Sequence, residues 1–204
     1  MIDTETTGFS PRTGDRIIEI AVVRLDVRGD VVDTWETLLN PDRSVGATHV
    51  HGLTAAHLAD APRFADVAEH VAGLLAGHVV VGHNVDFDLR FLVHELDLAG
   101  RPFEVPGRLC TQKLAASYLP GPKRTLAVCC EQAGIVNDHA HSALGDTLAT
   151  AALLRHYLGH HPDGAPWSAL VDAAALTAPA DDLFAELFGT VLTQPRTLTR
   201  AALG

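Results

Sequence analysis

Cysteine and aromatic residues are scarce in this chain. Its 204 residues include three cysteines, and Phe, Trp and Tyr together make up 5% of the sequence. Two of the cysteines, Cys129 and Cys130, are adjacent in an apolar stretch, which is not a disulfide framework. No pair has the spacing of a structural zinc site. We therefore expect buried thiols in a reducing compartment.

Long apolar runs are missing as well. No stretch approaches the roughly 20 apolar residues that a membrane-spanning helix needs. The N-terminus lacks the basic and apolar segments of a signal peptide. A cytoplasmic location without a membrane partner is the resulting expectation.

Basic residues are outnumbered by acidic ones. The chain has 15 Lys and Arg against 25 Asp and Glu, for a formal net charge of −10. Nucleic-acid binding usually depends on a basic surface, so composition alone argues against it. Bound divalent cations would weaken this objection, because a cation reverses the sign of the local field.

Strand-like and helix-like segments are interleaved over residues 1–158. Strands are predicted at 16–27, at a second stretch that ends at Asn40, and at 78–84 and 105–110. Helices are predicted at 54–59, 64–75, 85–100, 112–118, 126–134 and 142–158. This order predicts an α/β fold with a mixed β-sheet flanked by helices.

The composition changes after Leu158. "GHHPDGAP" is typical of a linker, and two weakly helical patches follow at 168–176 and 181–192. We expect one domain at 1–158 and a C-terminal appendage, linker and tail, at 159–204. Such a short extension is not expected to form a core of its own.

The acidic pair in "DTETTG" suggests a metal site. Asp3 and Glu5 are two residues apart, so on a strand they share one face. Two like charges about 4 Å apart repel by roughly 4 kcal/mol at an effective dielectric of about 20. A cation is needed to hold them together, and hard oxygen ligands suit Mg²⁺ or Mn²⁺. A solvated N-terminal turn is the alternative from these residues alone.

Two further stretches combine histidine with aspartate. "HNVDFD" places Asp86 and Asp88 where a strand meets a helix, at the sheet end where α/β proteins commonly bind ligands. "HSALGD" places His141 before a helix and Asp146 in its first turns. Five residues turn through about 500° on a helix, so these two would not share a face. His141 is therefore expected on the loop that leads into the helix.

Together the three stretches resemble the motifs of the DEDDh family of 3′–5′ exonucleases, the DnaQ-like group that includes the epsilon subunit of bacterial DNA polymerase III. "DTETTG", "HNVDFD" and "HSALGD" come in the family's order at compatible separations. "ATHVHGLT" is similar to a stretch that these enzymes carry before their first long helix. The resemblance covers residues 1–158 and implies a ribonuclease H-like fold.

The resemblance also implies roles for individual residues. Two Mg²⁺ or Mn²⁺ ions would be bound by four carboxylates, those of Asp3, Glu5, Asp88 and Asp146, with His141 as the general base. Two ions about 3.5–4 Å apart can hold the attacking and the leaving oxygen. A histidine with an ordinary pKa of about 6.5 can accept a proton from water near neutral pH.

Two candidates compete with these assignments. Periodicity does not separate Asp86 from Asp88, but the family pattern selects Asp88 and leaves Asp86 as a helix-start residue. In the third motif the family spacing between histidine and aspartate is met by His141 and not by His139. We expect His139 to be a solvent-facing loop residue.

Substrate contacts follow from the same resemblance. The backbone from Thr6 to Gly8 would run beside the terminal nucleotide, with Gly8 permitting close approach. His51 would contact the nucleotide, or would be a loop histidine bonded to backbone. Phe9 could stack on a base or simply pack. Glu19, alone among apolar residues in "IIEIAVV", is interpreted as structural rather than as a fifth ligand.

The function implied is metal-dependent hydrolysis of phosphodiester bonds at the 3′ end of nucleic acid. Single-stranded DNA is favoured over RNA, and nucleoside monophosphates would be released. A proofreading subunit of a polymerase and a free-standing repair or RNA-trimming exonuclease are both compatible with the motifs. A catalytically silent binding module of the same fold is a further reading, against which the complete acidic set argues.

Both ends of the chain carry further expectations. "DDLF" at 181–184 is similar to the ending of sliding-clamp peptides, so the tail could attach to a clamp or to a polymerase subunit. Family members usually have several apolar residues before the D-x-E pair, whereas only Met1 and Ile2 precede it here. We therefore expect a first strand that is truncated or unusually short.

Overall fold

The computed structural model of the chain describes residues 1–178 and 195–203. Its strands are β1 Ile2–Thr6, β2 Ile17–Leu25, β3 Val31–Leu38, β4 Val80–Gly82 and β5 Arg108–Cys110. Its α-helices are α1 Thr48–His51, α2 Ala55–Leu58, α3 Phe64–Leu75, α4 Val85–Leu98, α5 Thr111–Tyr118, α6 Leu126–Ala133, α7 Ala143–Leu158 and α8 Ser168–Ala175. Short 3₁₀ turns occupy Pro11–Thr13 and Arg200–Leu203.

The strands form two hydrogen-bonded ladders. β1, β2 and β3 make an antiparallel sheet with β2 in the centre, and β4 pairs with β5 in parallel. The two ladders adjoin at β1 and β4, where a Cβ added to Gly82 would lie 3.2 Å from the carbonyl oxygen of Ile2. The fold is thus mixed α/β, as predicted, with parallel and antiparallel pairing in separate ladders.

Helices cover both faces of the central strand. Ile20 and Val22 of β2 pack in one core cluster with side chains of α3 and α4, whereas Val23 packs in another cluster with Ala151 and Leu154 of α7. Because both faces are covered, the first seven residues of β2 are all buried. Packing between these helices fixes the position of the sheet and therefore of β1, which carries the acidic pair.

Most predicted elements are present with small shifts at their ends. α3 has the predicted bounds, and the patch at 168–176 forms α8. α1 falls between the predicted strands and helices, since four helical residues are too few to show a period. The patch at 181–192 and the "DDLF" segment lie outside the described residues.

Two further expectations concern thiols and membrane helices. All three cysteines, Cys110, Cys129 and Cys130, are unpaired and buried, as predicted. Within residues 1–178 and 195–203, no helix is long and apolar enough to cross a membrane.

The segment 195–203 lies against strand β3. The N–H of Leu38 donates to the carbonyl of Leu198 at 2.6 Å, and the N–H of Leu198 donates to Thr37 Oγ1 at 3.1 Å. The Leu198 side chain packs on a buried cluster that includes Ile18 and Leu53. This docking brings the residues that follow Leu198 next to the strand that carries Glu19.

Candidate active site

Three carboxylates converge where β1 meets the start of α7. Asp3, Glu5 and Asp146 each offer an oxygen within 4.8 Å of the others'. Asp3 and Glu5 share one face of β1 because side chains alternate along a strand, and Asp146 reaches the same place from the first turn of α7. The structure therefore brings together three of the four predicted ligands from segments more than a hundred residues apart.

The fourth predicted ligand, Asp88, is buried beside this group. It is 4% exposed, and its Oδ1 accepts hydrogen bonds from the Thr4 N–H at 3.0 Å and from Thr4 Oγ1 at 2.8 Å. These bonds join the start of α4 to β1 between the two acidic residues. Asp86 lies elsewhere, in ion pairs with Lys113 at 2.7 Å and Arg108 at 3.2 Å.

Burial and mutual repulsion raise the pKa values of these acids. Loss of hydration, followed by the charge of Asp88, raises the pKa of Asp3 well above its usual range. Loss of hydration and the charge of Glu19 raise the pKa of Glu5 to about 8. Burial raises the pKa of Asp88 to about 7, although the bonds from Thr4 act in the opposite direction. A nearby cation would strongly stabilise the ionised form of carboxyl groups whose pKa values are raised in this way.

His141 lies on the loop that leads into α7, as predicted. Its backbone has a positive φ of 66°, and its N–H donates to Asp146 Oδ2 at 3.2 Å. Asn137 Nδ2 donates to Asp146 Oδ1 at 2.7 Å, a contact that sequence reasoning missed. The His141 side chain is exposed; so is that of His139, whose carbonyl accepts a bond from Ser142 Oγ at 2.7 Å.

The predicted substrate contacts are held by bonds within the protein. Thr6 Oγ1 donates to the carbonyl of Gly8 at 2.7 Å, and a Cβ at Gly8 would collide with the carboxylate of Asp15. His51 is 2% exposed, and its Nδ1 accepts the Leu53 N–H at 3.0 Å. Its Nε2 is buried and has no hydrogen-bond partner in the described part of the chain. The backbone-bonded alternative for His51 is therefore present, and contact with a nucleotide stays a prediction.

Arg200 is a second neighbour of the site that sequence reasoning missed. Its Nε and Nη2 donate to the two carboxylate oxygens of Glu19, each at 2.8 Å. Glu19 is 1% exposed and also accepts the Ala143 N–H at 3.1 Å, so it is structural, as interpreted. The position of Glu19, a single charged residue in an apolar strand, could have indicated a buried ion pair. Nothing local marks Arg200, because its partner lies 181 residues away in the sequence.

The chain is similar to known exonucleases and DNA polymerase III subunits. The family model RNase_T, described as Exonuclease, matches residues 1–154. The DNA polymerase III subunit epsilon-like protein of Rhodobacter capsulatus is 40% identical over 162 residues, which are 76% of this chain and 23% of that protein. The DNA polymerase III subunit epsilon of Rickettsia conorii is 30% identical over 167 residues, or 78% of this chain and 73% of that protein.

A solved structure of similar size shares the fold. Exonuclease X, in complex with 5′ overhanging duplex DNA, superposes with a TM-score of 0.63 at 30% identity, covering 85% of this chain and 97% of that chain. This chain thus spans 23% of the length of one relative and 97% of another. The match over residues 1–154 shows that it belongs to the DEDDh exonuclease family, as its three sequence motifs indicate.

Proposed function

We propose that this chain is a metal-dependent 3′–5′ exonuclease that hydrolyses the terminal phosphodiester bond of DNA and releases nucleoside monophosphates. The convergence of Asp3, Glu5 and Asp146 within 4.8 Å carries the proposal, because so many carboxylates gathered in one place need a cation. Exonuclease X, of which this chain covers 97%, was solved with duplex DNA, and that likeness supports DNA as the substrate.

The donor set fits Mg²⁺ or Mn²⁺, since all its ligands are carboxylate oxygens. Asp3, Glu5, Asp88 and Asp146 would hold two ions. Such a pair of ions supplies Lewis-acid stabilisation of the phosphate oxygens and acidifies a bound water. The two bonds from Thr4 hold Asp88 Oδ1, which leaves the other carboxylate oxygen of Asp88 for this role.

His141 would act as the general base. Its backbone N–H is bonded to Asp146, which ties the loop to the acidic cluster, and its imidazole is exposed on that loop. In this role the imidazole would accept the proton of the attacking water at Nδ1 or Nε2.

The exposed side chain of Phe9 would receive the terminal base. Phe9 is 84% exposed and follows directly on the loop after β1, so packing inside the protein does not explain it. Stacking on an aromatic ring is a contact that every base can make, which suits an enzyme without sequence preference. Thr6, Gly8 and His51 would line the same end of the nucleotide.

Two biological settings remain as proposals. Similarity to the epsilon subunit of Rickettsia conorii, over 73% of its length, supports proofreading as a DNA polymerase III subunit. Exonuclease X, of which this chain covers 97%, is named as an exonuclease and not as a polymerase subunit, which supports a free-standing enzyme. We also propose a cytoplasmic location, which the three buried, unpaired thiols support.

Matched DNA and RNA oligonucleotides, labelled at the 5′ end, test the function directly. With Mg²⁺ or Mn²⁺ we expect a ladder of products shortened from the 3′ end, faster on single-stranded DNA, and none after chelation. Stepwise loss of the 5′ label as a mononucleotide would contradict the polarity. Failure to release any nucleotide with either metal would favour a silent binding module.

A further inference from the structure

Arg200 reaches from the C-terminal segment to two other parts of the candidate active site. Besides its two bonds to Glu19, Nη1 donates to the carbonyl of His51 at 2.8 Å, and Nη2 donates to the carbonyl of His141 at 2.9 Å. One guanidinium thus connects strand β2, the end of helix α1 with the predicted nucleotide contact, and the loop of the proposed general base. The planar guanidinium has five donors in a fixed fork, which suits acceptors on several sides at once.

The bond to His141 falls where the backbone needs support. His141 has a φ of 66°, a conformation that is unfavourable for a residue with a side chain. Its N–H is bonded to Asp146 and its carbonyl to Arg200, so both peptide groups of the residue are fixed. The imidazole is exposed and depends on this backbone for its position.

Arg200 also partly offsets the charge of a buried acid. Glu19 lies opposite Glu5 in the β1–β2 ladder and is almost fully buried, so its charge would act more strongly on the metal ligands if it were unpaired. Arg200 pairs with it at 2.8 Å and is itself 28% exposed at the side chain.

The segment that carries Arg200 is held by its own contacts. The backbone of Leu198 exchanges hydrogen bonds with Leu38 and Thr37, and its side chain packs on the cluster around Ile18. Arg200 therefore does not have to hold the segment by itself. Loss of the Arg200 side chain should therefore remove the bonds to His51 and His141 while the segment stays docked.

We propose that Arg200 is a positioning residue for the exonuclease reaction, supplied by the C-terminal segment, which holds the His141 loop over the acidic cluster and ties it to Glu19. The inference rests on the proposed function. It goes beyond that function because it gives a residue outside the three family motifs a part in the reaction.

The main test compares kcat and KM of the full chain and three variants on a labelled single-stranded DNA oligonucleotide with Mn²⁺. For Arg200→Gln we expect kcat to fall by about 10- to 100-fold, the loss typical of a misplaced catalytic group, with a smaller change in KM. Arg200→Lys keeps the charge but not the fork, so its kcat should stay below wild type. Arg196→Gln, an exposed arginine of the same segment, is the matched control and should match wild type.

The double variant Glu19→Gln/Arg200→Gln separates positioning from a structural role. Removing the unpaired carboxylate should restore the melting temperature that Arg200→Gln loses. The tether to His141 is still missing, so kcat should stay low. Recovery of kcat together with the melting temperature would overturn the proposal, as would an Arg200→Gln enzyme with the kcat of wild type.

Hydrogen–deuterium exchange supplies a readout that does not need activity. Peptides containing His141 and His51 should exchange faster in Arg200→Gln than in wild type, and at the wild-type rate in Arg196→Gln. If the wild-type chain releases no nucleotide, the proposed function fails, and the exchange rates alone decide whether Arg200 holds these loops. Equal exchange in Arg200→Gln and wild type overturns the inference.

Discussion

Glu5 and Glu19 lie directly opposite each other on neighbouring strands of the antiparallel sheet. Like charges in this arrangement destabilise a sheet unless each has a partner. Glu19 is paired with Arg200, whereas Glu5 joins the carboxylate cluster with Asp3. The stability of the metal-free protein should therefore depend on the protonation of this cluster.

We expect the carboxylate cluster to cost the metal-free protein stability as the pH rises from about 5 to about 8. The pKa of Glu5 rises from an ordinary 4.5 to about 8 in the folded state, and that of Asp88 rises to about 7. These two carboxyls bind more protons in the folded than in the unfolded state across this window, so their contribution to the free energy of unfolding falls with pH. The buried amino group of Met1, whose pKa is lowered to about 5, acts in the opposite direction, so the effect is measured as the melting temperature of the wild type after chelation relative to that of Glu5→Gln.

Mn²⁺ should reverse this trend, because it binds the ionised carboxylates and only in the folded protein. The increase in melting temperature on adding Mn²⁺ should be larger at about pH 8 than at about pH 5. A metal-free melting temperature that depends on pH in the same way in the wild type and in Glu5→Gln would contradict the raised pKa value of Glu5.

Asp146→Asn should abolish nucleotide release with little change in the fold. The amide keeps the size of the side chain, and its one oxygen can still accept the His141 N–H, but the variant loses the bond from Asn137 Nδ2 and removes one anionic ligand from the cluster. Product release from a 5′-labelled oligonucleotide with Mn²⁺ measures the loss. Asp86→Asn is the matched control, since its exposed ion pairs with Lys113 and Arg108 are each worth about 0–1 kcal/mol at most. Equal activity of the two variants would refute the site.

His141→Ala should lower kcat by roughly 10²- to 10⁴-fold, the range of a general base. The backbone bond from His141 to Asp146 does not depend on the side chain, so the metal site should persist. His139→Ala provides the control, because that side chain is exposed on the same loop. A loss confined to His139→Ala would transfer the role to the other histidine.

Thr4→Val should destabilise the fold and loosen the metal site. The variant removes the bond from Thr4 Oγ1 to Asp88, a charge-assisted bond whose loss costs about 1.5–3 kcal/mol, and leaves the N–H bond in place. Denaturant unfolding measures the stability, and Mn²⁺ titration of the melting temperature measures the metal site. Thr4→Ser keeps the hydroxyl and should be close to wild type on both measurements.

Phe9→Ala should raise KM for single-stranded DNA with little effect on kcat or on the melting temperature. A stacked base contributes about 1–3 kcal/mol, whereas an 84% exposed ring contributes little to folding. Val27→Ala, at an equally exposed position in the β2–β3 turn, is the control. An unchanged KM would show that the ring is not a substrate contact.

Much of the fold could be predicted because its elements are strongly patterned. The β-branched run of β2 and the helical spacing in α4 reflect burial. Buried positions recur at short, regular intervals along a helix or form a continuous run in a buried strand, so they can be recognised in the sequence. α1 could not be predicted, since four residues carry no period. Periodicity likewise could not separate Asp86 from Asp88. The two differ in their partners, because Asp86 is paired with Lys113 and Asp88 is bonded to Thr4.

By itself the sequence determined the family, most of the helices and strands, and the acidic residues of the candidate site. These are properties of short stretches, where residue type and spacing have direct physical meaning. Only the tertiary structure decided that Asp88 accepts hydrogen bonds from Thr4, that Asn137 donates to Asp146, and that Arg200 donates to the carbonyl of His141. Such contacts join residues with no fixed separation in sequence, so no local pattern encodes them, and only packing brings them together.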